Sequence, residues 1–229
     1  MASSNGLPFP ERERAVSGLL LATLLTACAP RVAALPLAEL ALQPTRGEPV
    51  SVTQLLSRAD ATVFVFWSAG CPCVRRYQAR VDALAAEWSS RGVAVIEVSS
   101  NAGESLESLR EAERLRSLVR PLWRDEGGLL ARQLDARSTP TVVLLRRDGQ
   151  VLYRGWLDNE RQPGEAGREP WLELALQRFV APGGRPALAK SPTWGCTITR
   201  SLTPSVAPQC HVPSPEVASS GADSPGGSP

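Results

Sequence analysis

Thr62 to Phe66, TVFVF, carries β-branched and aromatic residues at every position, with no charge and no turn former. A half-exposed strand would alternate; this run does not, so it predicts a strand buried on both faces. Such a strand belongs to an α/β layer domain, with helices packed over a sheet. The flanking sequence keeps to that plan. Leu37 to Leu42 and Val50 to Val52 read as short strands around a turn at Gly47, and Thr53 to Arg58 as a short helix. After the buried run, Val74, Tyr77, Val81, Leu84 and Trp88 recur at spacings of three and four, an apolar stripe on a long helix. Val93 to Val98 is a second buried strand. Ser105 caps a helix predicted to reach Val119 before Pro121. Asp148-Gly149 joins Thr141–Leu145 to Gln150–Tyr153 as a hairpin, and Leu172–Phe179 is a closing amphipathic helix.

A domain spanning residues 35–180 therefore accounts for most of the 229 residues. From 181 to 229 the chain turns rich in Pro, Gly and Ser, a composition expected to stay unstructured. Thr193 to Ile198 is an apolar island within it that can dock back. At the other end, residues 1–28 follow the plan of a secretion signal: an apolar or small run from Ala15 to Ala27, too short to span a bilayer. The run ends in Leu25-Thr26-Ala27-Cys28, which resembles the lipobox of bacterial lipoproteins. That resemblance implies a lipid anchor at Cys28 and a place on the periplasmic side of the cell envelope, with Ala29 pointing to the outer membrane of a diderm. A plain cleaved signal and an ordinary buried helix are the competing readings.

A net charge of +2 gives no basic field for nucleic acid. The single histidine, His211, removes most metal sites and the usual base of hydrolytic triads. The chemistry falls to cysteine. Phe66-Trp67-Ser68-Ala69-Gly70-Cys71-Pro72-Cys73 lies where the buried strand gives way to a helix. A cysteine at a helix amino terminus meets the positive end of the macrodipole and free amide protons, so the Cys71 thiolate is favoured. Arg75 and Arg76 add to this if they turn back, and Pro72 suits the first turn. Competing readings make Trp67, Tyr77 and Trp88 core residues and the two arginines a solvated helix face.

These residues resemble the thioredoxin-like superfamily, and more closely its redoxin branch of bacterial envelope and peroxiredoxin-like proteins. Ser138-Thr139-Pro140-Thr141 before a later strand and Tyr153-Arg154-Gly155-Trp156-Leu157-Asp158 after it stand in the order that superfamily uses. The resemblance implies a thioredoxin-like fold, a central mixed β-sheet flanked by helices, with Pro140 a cis-proline facing Cys71. It also implies a docking surface at Trp67, Pro72, Thr139 and Pro140, partners that are thiols, disulfides or peroxides, and no cofactor. One residue separates the cysteines where thioredoxins have two, so a Cys71–Cys73 bond would close a small strained ring. Val65 stands where typical thioredoxins carry an acidic proton relay, with Glu97 as a substitute or a mere edge residue.

Gly195-Cys196-Thr197-Ile198 resembles a carboxy-terminal segment of some redoxin-domain proteins, which makes Cys196 a resolving thiol. A packed thiol, or a disulfide with Cys210, is the alternative. Thiol–disulfide exchange through Cys71, resolved by Cys73 or Cys196, is the leading expectation. Peroxide reduction at Cys71 and Cu(I) carriage by Cys71 and Cys73 are the others. All three require the first sulfur to be accessible.

Overall fold

A computed structural model of the chain describes residues 36–160, 167–182 and 189–200. The secretion signal and lipid anchor expected at residues 1–28, and Cys210, lie outside the described residues. Pro36 leads into a single 3-10 turn, Leu37–Glu39, so the first strand is shorter than expected and starts later, as β1 (Ala41–Pro44). Next come β2 (Val50–Ser51) and α1 (Val52–Ser57), whose Ser51 side chain and Gln54 form a reciprocal capping box. The buried run becomes β3 (Ala61–Trp67), followed by α2 (Pro72–Ser89), β4 (Val93–Ser99) and α3 (Leu106–Arg116). Helix α3 stops three residues short of Val119 because Ser117 adopts a left-handed conformation (φ 51°) and closes the helix on Arg114 and Glu113 carbonyls.

The remaining elements are β5 (Leu122–Arg124), α4 (Leu129–Gln133), β6 (Ser138–Thr139), β7 (Thr141–Arg146), β8 (Val151–Gly155), α5 (Trp171–Val180), β9 (Ala189–Lys190) and β10 (Cys196–Thr197). Eight strands make one mixed sheet in the order β2-β1-β5-β4-β3-β7-β8-β9, with β3 central, parallel to β4 and antiparallel to β7. The period of two along β3 divides the core. Ala61, Val63 and Val65 pack with Tyr77, Val81, Leu84 and Trp88 of α2 and Leu172 and Leu176 of α5. Phe64 and Phe66 face the other way, onto α1 and α4. Both faces are covered, as the uninterrupted apolar run requires.

Candidate redox site

Strand β3 delivers the cysteine motif to the carboxyl edge of the sheet, and α2 takes over at once. Cys71 is the amino cap of α2 and Pro72 its first residue. The intervening loop is tied down by one carboxylate. Glu104 accepts from Ser68 Oγ (2.9 Å), from the Ala69 amide (2.7 Å) and from Ser99 Oγ. Arg116 closes the other side, donating to the Ala69 carbonyl with its guanidinium 4.9 Å from the centre of the Trp67 ring. Neither residue is apparent in the sequence, since both come from other elements and match no spacing rule.

The Thr139–Pro140 peptide is cis, as the resemblance implied. The Thr139 carbonyl oxygen lies 3.2 Å from Cys71 Sγ, so this loop faces the cysteine. Across from it, β10 pairs antiparallel with β6, setting Cys196 opposite Thr139 and Thr197 opposite Ser138. Cys71 and Cys196 are joined as a disulfide, with Cα atoms 5.9 Å apart. Cys196 thus pairs with the motif rather than with Cys210. Cys73 is a free, half-buried thiol whose sulfur accepts from Arg76 Nη2 at 3.3 Å. Arg75 is exposed.

One expectation is corrected. Cys71, expected to be open to solvent, is 0% exposed, bonded to Cys196 on one side and packed among Trp67, Val74, Leu109 and Leu122. Trp67 (1% exposed) forms the floor of the site with Val74 and Leu109; Thr139 and Pro140 are buried, and Pro72 is at the surface.

Two buried features support the site from beneath. Glu97 is 1% exposed, not an edge residue. It accepts from Gln78 Nε2 (2.7 Å) and Arg120 Nη2 (3.0 Å), while Gln78 accepts from Trp67 Nε1 (3.2 Å). Burial pushes its carboxyl above the ordinary value of 4.5 despite Arg120. Asp158, wholly buried, pairs with Arg80 of α2 (2.6 Å) and Arg168 (3.1 Å), which locks the cysteine-bearing helix to the segment after β8. Among the described residues, no three His, Cys, Asp or Glu side chains form a cluster that could hold a metal ion.

The arrangement sets two sulfurs in bonding position at the start of α2, beside a cis-proline loop. Two solved structures are similar to the chain in fold. An uncharacterized conserved protein from Geobacillus kaustophilus is 27% identical, with a TM-score of 0.61, covering 73% of this chain and 94% of that one. A hypothetical protein from Sinorhizobium meliloti 1021 is 22% identical, with a TM-score of 0.60, covering 73% and 96%. No curated protein matches the chain. The sequence model of the AhpC/TSA family matches residues 34–154, from before β1 to the end of the hairpin. With that match and this topology, the chain belongs to the AhpC/TSA family, within the thioredoxin-like redoxin superfamily.

Proposed function

We propose that the protein is a thiol–disulfide oxidoreductase with Cys71 as nucleophile and Cys196 as resolving thiol. The pairing of those two sulfurs across the cis-proline loop carries the reading. In the reduced protein the Cys71 thiolate, favoured at the amino end of α2, attacks one sulfur of a partner disulfide. The partner's S–S bond breaks and its other sulfur leaves as a thiolate. The Cys196 thiolate then attacks Cys71, forming the intramolecular bond and expelling the second partner thiol. Two electrons pass from protein to partner; run backwards, the same steps oxidise a partner dithiol. Trp67 packs with Cys71 and the Thr139 carbonyl oxygen lies 3.2 Å from its sulfur, which supports a docking role for them and for the adjoining Pro72 and Pro140. The leftover Cys73 is a second nucleophile held by Arg76.

The test is a trapping experiment. A Cys196→Ser variant accumulates a mixed disulfide at Cys71, and Cys73→Ser does not. If neither variant ever links to a protein or small disulfide, the reading fails.

The family match favours a second reading, peroxide reduction. Cys71 would attack the O–O bond, leaving a sulfenic acid and releasing an alcohol or water, and Cys196 would condense with it, losing water. Peroxide consumption, with a sulfenic acid trapped on Cys71 of Cys196→Ser, distinguishes it. A disulfide suits an oxidising compartment, in keeping with an envelope location, and the run Leu25-Thr26-Ala27-Cys28 is what supports lipidation of Cys28 there. Fatty-acid labelling that survives Cys28→Ser would defeat that part.

A further inference from the structure

Residues 189–200 run over the site as a strap with two kinds of attachment. Its start is anchored on the sheet: β9 pairs with β8, and Ser191 Oγ accepts from the Trp156 amide (2.9 Å) and shares a hydrogen bond with the Tyr153 hydroxyl (2.8 Å). Its second part is held more thinly. Trp194 lies with its ring centre 3.8 Å from that of Trp156 and 6.0 Å from Trp171. Ile198 is buried (5% exposed) and its amide donates to the Arg137 carbonyl (2.9 Å). The Thr199 carbonyl accepts from the Ala102 amide (2.7 Å). Between them lies the two-residue ladder of β10 on β6, with the Thr139 hydroxyl donating to the Cys196 carbonyl (3.5 Å).

A two-residue ladder is far below what a strand pair needs to stand alone. Ordering each further residue costs backbone entropy, which the Ile198 side chain, the two Trp194 ring contacts and hydrogen bonds such as Thr199 to Asn101 Oδ1 and Arg200 to the Ala136 carbonyl offset only in part. The disulfide therefore decides whether 193–200 stays seated. Gly195 shows how closely the seat is cut. Its φ is 123°, and a Cβ there would lie 2.2 Å from the Thr139 carbonyl oxygen, a backbone atom that cannot step aside.

We infer that residues 193–200 are the resident occupant of a docking edge that reduction vacates, and that this edge takes an extended protein segment with glycine before the reacting cysteine and an aromatic residue before the glycine. The inference rests on the oxidoreductase reading. Reduction by an external dithiol opens the edge: one thiolate attacks Cys196 Sγ, the bond to Cys71 breaks, and Cys71 leaves as a thiolate. The dithiol's second sulfur then displaces Cys196 and closes the reductant's own disulfide. Two electrons enter the protein, and the dithiol's two protons end on the freed sulfurs or in water. The incoming segment pairs antiparallel with Ser138–Thr139, places its cysteine beside Cys71, and puts its aromatic ring between Trp156 and Trp171.

The first experiment compares amide exchange in the oxidised full chain and after dithiothreitol. The Ile198 and Ala102 amides exchange at least about tenfold faster on reduction, while β3 keeps its protection. Unchanged protection of both overturns the latch. The second uses the peptide Trp-Gly-Cys-Thr-Ile, activated as a disulfide, against reduced Cys196→Ser. It links to Cys71 at least about tenfold faster than the peptide with alanine for glycine. Equal rates overturn the docking edge. Amide exchange needs no turnover, so a strap that loosens in dithiothreitol while Cys196→Ser never links to any partner disulfide refutes the catalytic reading alone. Turnover with a strap that stays protected refutes the latch alone.

Discussion

Glu97 stands in register with Val65 on the parallel neighbour β4, so the two residues share one face of the sheet. Glu97 is joined through Gln78 to the Trp67 indole. Its carboxyl is raised by burial, so the folded state holds the proton more tightly than the unfolded chain does. A carboxyl shifted this way contributes its stability below the unfolded value of 4.5 and loses it as pH rises through the folded one. Glu97→Gln keeps an acceptor for Gln78 and removes the titration. Urea unfolding at acidic and neutral pH will show the variant gaining on wild type as pH rises. A difference that does not vary with pH would show that Arg120 already cancels the burial.

The loop between β3 and α2 depends on Glu104 more than on its own residues. Removing a carboxylate that accepts three hydrogen bonds, one from a backbone amide, costs about 2 kcal/mol. Glu104→Ala is therefore expected to unfold at lower urea and to slow exchange at Cys71, whereas Glu104→Gln recovers part of both. The elements legible in the sequence carry a long period or a strong local signal: β3 with its unbroken apolar run, α2 with five buried residues at helical spacing, the Asp148-Gly149 hairpin. Elements that exist through distant partners were not legible. Strand β5 has three residues and is formed by lying between β4 and β1; β10 has two and is a strand only because Thr139 lies opposite Cys196. The candidate site divides likewise. Cys71 and its place at a helix start can be read from local residues, and the cis-proline from resemblance. The burial of Cys71, the Glu104 and Arg116 braces and the Gln78 bridge require three-dimensional proximity that no spacing encodes.

Over the whole molecule, the Cys71–Cys196 bond closes a loop with a sequence separation of 125 that takes in β4, β5, β7, β8 and β9, five of the eight strands of the sheet. In the chain-entropy account such a loop stabilises by several kcal/mol, reduced by the cost of seating the strap, so reduction should cost about 2–4 kcal/mol in urea unfolding. The strap's other attachment has its own signal, because the chain contains 2 tyrosines and both are buried near it. The Tyr77 hydroxyl donates to the Glu160 carbonyl, and the Tyr153 hydroxyl donates to the Trp156 carbonyl beside Ser191. Burial pushes both phenols from 10.0 up to about 12. The stability they contribute is complete below pH 10 and is lost as pH rises from there towards 12, since the unfolded chain ionises first. Phenolate absorbance should thus be absent at pH 10 in the folded protein and appear only near pH 12, with unfolding, whereas urea-unfolded chain titrates at the ordinary value. Because Ser191 belongs to the anchored part of the strap, reduction should leave this titration unchanged even as residues 193–200 loosen. Half the absorbance appearing near pH 10 after reduction would mean that Tyr153 had lost its cover and that the strap lifts from β8 as one piece, anchor included.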